Sequence, residues 1–290
     1  MRFRDWATRV MLIFLMFAAL IFALFLGQAT QPKNNTAASN PDSTDWSQYP
    51  KVEFQAAKIL GEKSKNLPII AVNKNKIVSK YKTTAAFAKY KPKFTSAVVH
   101  PSNYGERYTQ DTNGLPLNNQ AIIVIHETTN SASSAINFFQ TPHDDENVQA
   151  SYHAIISLDG IVIYLVPPEK RAFGAANSIF VGANGAETVQ TNPTLAPSVN
   201  NFAYHVSLET PPDAWGDNQI PNHSGYTQLQ YNSLAWLIAQ SQVPEDRITT
   251  HRAVDRSGQR ADPKSFDFER FLNILRTFRQ LTPVNTAKKP

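Results

Sequence analysis

Seven histidines and no cysteine frame the chemistry open to this 290-residue chain. Without cysteine there is no disulfide framework, no thiolate-ligated zinc or iron–sulfur centre and no thiol nucleophile, so any metal must be held by His, Asp or Glu. The histidines stand at 100, 126, 143, 153, 205, 223 and 251, and three places in the chain draw notice by context. His126 ends the apolar run 122–126, where a side chain emerges at the edge of a sheet. Strand ends favour functional groups, although a single histidine there is more often a satisfied core residue. His251 follows Arg247-Ile248-Thr249-Thr250 and opens a loop leading to Asp262-Pro263. Glu209 closes the run 203–209, where alternation sets Tyr204, Val206 and Leu208 on one face and His205, Ser207 and Glu209 on the other. The first face reads as packed and the second as polar. A carboxylate at its end is either a surface group or a general base facing a cleft, and local sequence leaves both open.

These residues need elements to position them. Residues 122–126 are short and apolar on both faces, as in a central strand covered by helices on both sides. Residues 131–140 place Ala132, Ala135, Ile136 and Phe139 at helical spacing on one face. Residues 151–157 and 161–166, separated by Asp159-Gly160, form an expected hairpin. Residues 203–209 read as a further strand and 227–241 as a helix. Phe268, Phe271, Leu272, Leu275 and Phe278 mark a last amphipathic helix capped by Ser265 or Asp267. The inventory is that of an α/β fold with a mixed central β-sheet flanked by helices. Its core is expected over 94–281, with a short tail over 282–290.

Four segments in order carry a resemblance: Ile123-Val124-Ile125-His126-Glu127-Thr128; Ser151-Tyr152-His153 with Asp159-Gly160; Val206-Ser207-Leu208-Glu209; and His251 with Arg260-Ala261-Asp262-Pro263. The chain resembles the zinc-dependent N-acetylmuramoyl-L-alanine amidases, the family of phage endolysin amidases, bacterial wall-recycling amidases and animal peptidoglycan recognition proteins. The resemblance covers roughly residues 121–278. It implies a Zn²⁺ ion on His126, His251 and Asp262, a proton-accepting carboxylate at Glu209 and an oxyanion-stabilising cation at Arg260. Two imidazoles and one carboxylate leave the fourth tetrahedral position open, the pattern of a catalytic zinc site. The implied reaction cuts the amide between the lactyl group of N-acetylmuramic acid and L-alanine, with peptidoglycan or muropeptide as substrate. Three departures stand out: Arg260 replaces a customary lysine, Lys264 follows Asp262-Pro263 where glycine is customary, and Phe173-Gly174 stands where the family has Trp-His. Tyr152 and His153 are expected to pack behind the site and Thr128 to contact substrate. His100, His143, His205 and His223 fall outside the ligand pattern.

Ahead of the core, Arg2, Arg4 and Arg9 precede an uninterrupted apolar run over 10–26, near the lower length for crossing a bilayer. The run exceeds a cleavable signal core of roughly 7–15 residues, so residues 1–27 read as an uncleaved single-pass transmembrane anchor with the arginines in the cytoplasm. That places the rest of the chain in the periplasm or outside the cell; cleavage near Gly27-Gln28-Ala29 would instead release it. Residues 28–93 are expected to be a tether, polar over 28–50 and then lysine-rich, including Lys74, Lys76, Lys80, Lys82, Lys89, Lys91 and Lys93. Net charge is +9 over 1–120 and −4 over 121–290. A basic leader ahead of an acidic domain speaks against a nucleic-acid partner. The rival functions are a non-catalytic peptidoglycan-binding module of the same fold and a tethered structural envelope protein.

Overall fold

The computed structural model of the protein describes residues 80–282 apart from Asn218. The expected anchor, the tether up to residue 79 and the tail beyond 282 lie outside the described residues. Among those described, no helix is long and apolar enough to cross a membrane.

The strands in chain order are β1 (Tyr81–Thr83), β2 (Phe94–Ser96), β3 (Tyr104–Glu106), β4 (Ile122–Glu127), β5 (Ala154–Ile156), β6 (Val162–Tyr164), β7 (Lys170–Ala172), β8 (Phe180–Gly182), β9 (Gly185–Glu187), β10 (Ala203–Leu208), β11 (Ile248–Thr250) and β12 (Arg279–Leu281). The α-helices are α1 (Ala85–Lys89), α2 (Ala132–Gln140), α3 (Gln228–Ala239), α4 (His251–Val254) and α5 (Phe268–Phe278).

A six-stranded sheet in the order β11-β4-β10-β5-β6-β2 forms the centre. β11, β4, β10 and β5 run parallel, so their carboxyl ends share one edge, while β6 turns back antiparallel to β5. The sheet is therefore mixed. Every residue of β4 is buried, as a parallel strand covered on both faces requires. Ile123, Ile125, Val206 and Leu208 pack against Tyr231, Leu234, Phe271 and Leu275 of α3 and α5. Ile122 and Val124 point the other way, into a second cluster with Phe180, Val199 and Val254. His126 shares the parity of Ile122 and Val124, so it emerges from the face opposite α3 and α5.

The helix boundaries follow from side-chain caps. Ser131 accepts from Ser134 N at the start of α2, and Thr227 forms a reciprocal capping box with Gln230 at the start of α3. Asp267, and not Ser265, caps α5; the Ser265 hydroxyl instead accepts from His223 N. The expected hairpin is present as β5 and β6, turning at Gly160 with φ of 79°. A Cβ there would lie 2.9 Å from Leu229, so both conformation and space call for glycine.

Residues 80–93 depart from the expected tether. β1 pairs antiparallel with β12. α1 lays Phe87 on Trp236 with ring centroids 5.6 Å apart and brings the Tyr90 hydroxyl to within 3.0 Å of Ser233 Oγ. Phe87 and Tyr90, with the β1–β12 pairing, anchor a stretch in which exposed lysines hide the apolar spacing.

Candidate metal centre

The carboxyl edge of the parallel strands gathers three of the five residues singled out in the sequence. His126 reaches it from the end of β4, His251 from the first residue of α4 directly after β11, and Asp262 from the loop between α4 and α5. Thr250 caps α4 by accepting from Ala253 N, which fixes where the His251 side chain departs. Arg252 N donates to the Asp262 carbonyl at 2.8 Å and closes the loop between them. His251 Nδ1 lies 2.9 Å and 3.1 Å from the two Asp262 oxygens, and His126 Nδ1 lies 3.4 Å from Oδ2. One ligand-type atom from each residue falls within 4.8 Å of the others.

The cluster is largely buried. His126 is wholly buried and its Nδ1 has no hydrogen-bond partner, while the Asp262 side chain keeps 14% exposure. Burial, with the neighbouring His251 charge, lowers the His126 pKa to about 4, so its ring is neutral at pH 7. Burial alone would raise the Asp262 carboxyl, but the two imidazoles facing it carry it well below the usual carboxylate range. Two imidazoles and one carboxylate, with a buried His126 Nδ1 that makes no hydrogen bond, suit a Zn²⁺ ion.

Glu209 does not join the cluster. It follows β10 on the face that carries His205 and Ser207, and each carboxylate oxygen accepts from a backbone N–H: Ala132 N at 2.8 Å and Leu158 N at 2.9 Å. The face read as polar is buried: His205 and Ser207 lie wholly inside, beneath the cluster. Arg260 is exposed on the loop before Asp262, and its charge bears on His126 and Tyr152. Asp255 organises that loop, accepting from Ser257, Gly258 and Arg260 N–H groups. Tyr152 packs against His126 with ring centroids 4.7 Å apart, and His153 is buried behind it. Burial, followed by the Arg107 charge, lowers the His153 pKa to about 3. The Thr128 hydroxyl accepts from Thr210 N at the rim rather than standing free.

Two groups given no role in the sequence reading matter here. His205 Nδ1 lies 2.9 Å from His126 Nε2, on the side away from Asp262. Glu127, the neighbour of His126, points to the opposite face. Its Oε2 accepts from the Tyr226 hydroxyl at 2.6 Å, Lys264 N at 2.9 Å and His223 Nε2 at 3.1 Å. It thus ties the segment just past Asp262-Pro263 to β4. Lys264, the departure from the family pattern, is itself buried, with its Nζ 4.0 Å from Glu127 Oε1. A carboxylate closing a buried strand that is apolar but for His126 is the available signal for Glu127. His205 offered none, because its partners lie 52 and 79 residues away.

A family profile described as N-acetylmuramoyl-L-alanine amidase matches residues 117–265, just over half the chain and a span holding every residue of the cluster. No curated protein matches the chain. Among solved structures, AmpD, crystallised as a selenomethionine derivative, is 21% identical, with a TM-score of 0.41 over 62% of this chain and 94% of that one. The endolysin amidase LysCS from Clostridium intestinale is 16% identical, with a TM-score of 0.38 over 64% and 97%. The amidase AmiD from E. coli, solved with a muropeptide, is 16% identical, with a TM-score of 0.42 over 57% and 65%. On the strength of the profile match, the chain belongs to the N-acetylmuramoyl-L-alanine amidase family.

Proposed function

We propose that the protein hydrolyses the amide joining N-acetylmuramic acid to L-alanine in peptidoglycan or its fragments, with Zn²⁺ held by His126, His251 and Asp262. The observation that carries this reading is the convergence of those three side chains around the unpartnered, buried Nδ1 of His126. When bound, the cation would acidify a water molecule and polarise the scissile carbonyl. The remaining work falls to the protein. Glu209 uses two of the roughly four lone-pair sites on its carboxylate for Ala132 and Leu158. The others are free to take a proton from the attacking water and return it to the departing L-alanyl amine. Arg260, exposed yet close enough for its charge to act on His126, would stabilise the negative charge that develops on the carbonyl oxygen. The buried ring of His126 and the partly buried ring of Tyr152 exclude solvent from one side of the site.

One observation favours the binding-module alternative. The Glu209 carboxylate is already employed in joining α2 to the β5–β6 turn, a role that serves a muropeptide receptor equally well. Incubating the purified full-length chain with peptidoglycan and assaying new L-alanyl amino groups separates the two. Such amines support the amidase reading. Zinc and muropeptide binding without them supports the receptor. A structural envelope protein would bind neither.

The apolar run over 10–26 behind Arg2, Arg4 and Arg9 supports, as part of the same proposal, a single-pass anchor with the domain facing the periplasm or exterior. Sequencing the amino terminus of the mature protein tests it. A chain beginning near Thr30 would make the enzyme a released one.

A further inference from the structure

The ring of His205 is completely buried, and its Nδ1 is the atom that meets Nε2 of His126, at 2.9 Å. Three features hold it there. The His205 backbone N–H donates to His153 Nδ1 at 2.9 Å. The His153 ring stacks on it at 12° between planes, with centroids 5.9 Å apart. Gly174 lies so close that a Cβ at that position would fall 2.5 Å from both Cγ and Nδ1 of His205. Gly174 has no left-handed φ, so its backbone would suit any residue and space alone demands glycine.

A neutral imidazole has one N–H and one lone pair. If His126 is to give its Nδ1 lone pair to a cation, its proton must sit on Nε2. That N–H is buried, and a buried donor needs an acceptor. His205 Nδ1 stands at hydrogen-bond distance from it, and by accepting there keeps its own proton on Nε2, which is buried without a partner, a cost set against orienting His126. We propose that His205 is a positioning residue for the metal: it accepts from His126 Nε2–H, fixing the tautomer and ring angle that present Nδ1 to the cation, and Gly174 provides the space it occupies. The inference rests on the zinc reading above. It also gives a physical reason for the Phe173-Gly174 departure, since any side chain at 174 would displace the ring that holds His126. Outer partners of ligating histidines are worth 10–100-fold in metal affinity.

The test is zinc affinity by chelator competition, on the full-length chain in detergent, for wild type, H205L, H205N and G174A. H205L keeps bulk without an acceptor and should weaken zinc binding by roughly 10–100-fold. H205N sets an amide oxygen near the position of Nδ1 and should recover most of that loss. G174A touches no ligand, yet should weaken binding in the wild-type background and much less beside H205L, where the His126–His205 hydrogen bond it would disturb is already gone. That non-additivity is the signature of a shared contact. The visible spectrum of the cobalt-substituted protein should shift in H205L and G174A and return in H205N. Equal zinc affinity in H205L and wild type overturns the inference while leaving the amidase reading intact. So does equal weakening in H205L and H205N, which marks a packing role only. If H205L does not fold, unaltered zinc affinity in G174A overturns it. A wild-type chain that binds no zinc overturns the metal reading itself, and this inference with it.

Discussion

Glu209 carries two backbone N–H groups, Ala132 on one carboxylate oxygen and Leu158 on the other. Glutamine at 209 has a single acceptor oxygen and turns its NH2 toward one of those donors. Glu209→Gln therefore should act twice. Hydrolysis falls by roughly 10²–10⁴-fold through loss of the base, and stability falls by about 1–3 kcal/mol through a lost hydrogen bond, with zinc content unchanged. A denaturant titration beside the amine-release assay reads both. Lowered stability with unaltered turnover would reduce Glu209 to a loop anchor. Arg260 differs in that its loop contact runs through the backbone, Arg260 N to Asp255. Arg260→Ala should lower kcat by roughly 10²–10³-fold while sparing zinc and fold. Zinc loss in that variant would instead assign the side chain to shaping the metal loop.

At the scale of elements, α1 is the contact least visible in the sequence. Phe87 is half-buried against Trp236. Phe87→Ala should cost about 1–2 kcal/mol, below the 3–5 kcal/mol of a fully buried phenylalanine, and leave zinc affinity unaltered; urea unfolding and chelator competition check the two parts. An unchanged midpoint would mean that β1 and α1 rest on the domain without stabilising it. The strands and helices that announce themselves do so by period or by unbroken apolarity. β4 is apolar on both faces, and α5 repeats large residues at helical spacing and carries its own cap in Asp267. α1 has only Phe87 and Tyr90 among lysines, and their partners lie far along the chain. The same limit applies at the site. The metal-capable triad was legible because the family pattern marks each member. The supports of His126 were not, since Glu127 is bonded to residues 96–137 positions away, and the role of His205 exists only where Gly174 leaves it room.

For the molecule as a whole, buried neutral histidines couple stability to acid. His153 holds its ring at a pKa of about 3 in the fold against about 6.5 when unfolded. Between those values the unfolded chain binds the extra proton, so stability is full above pH 6.5 and is lost progressively as pH falls toward 3. The slope from this residue is at most about 1.4 kcal/mol per pH unit. Urea midpoints should fall below pH 6.5 in wild type and less steeply in His153→Asn. Parallel pH profiles would show that His153 is already solvated in the fold. One titration shows whether the cluster at the sheet's carboxyl edge is a working metal site. Zinc is added to metal-stripped, full-length protein while L-alanyl amines released from peptidoglycan are counted. Turnover should rise in step with bound zinc, saturate at one ion per chain and be absent throughout in His251→Ala. Turnover that is already full in the stripped protein, or one bound zinc per chain with no amine released, would contradict this.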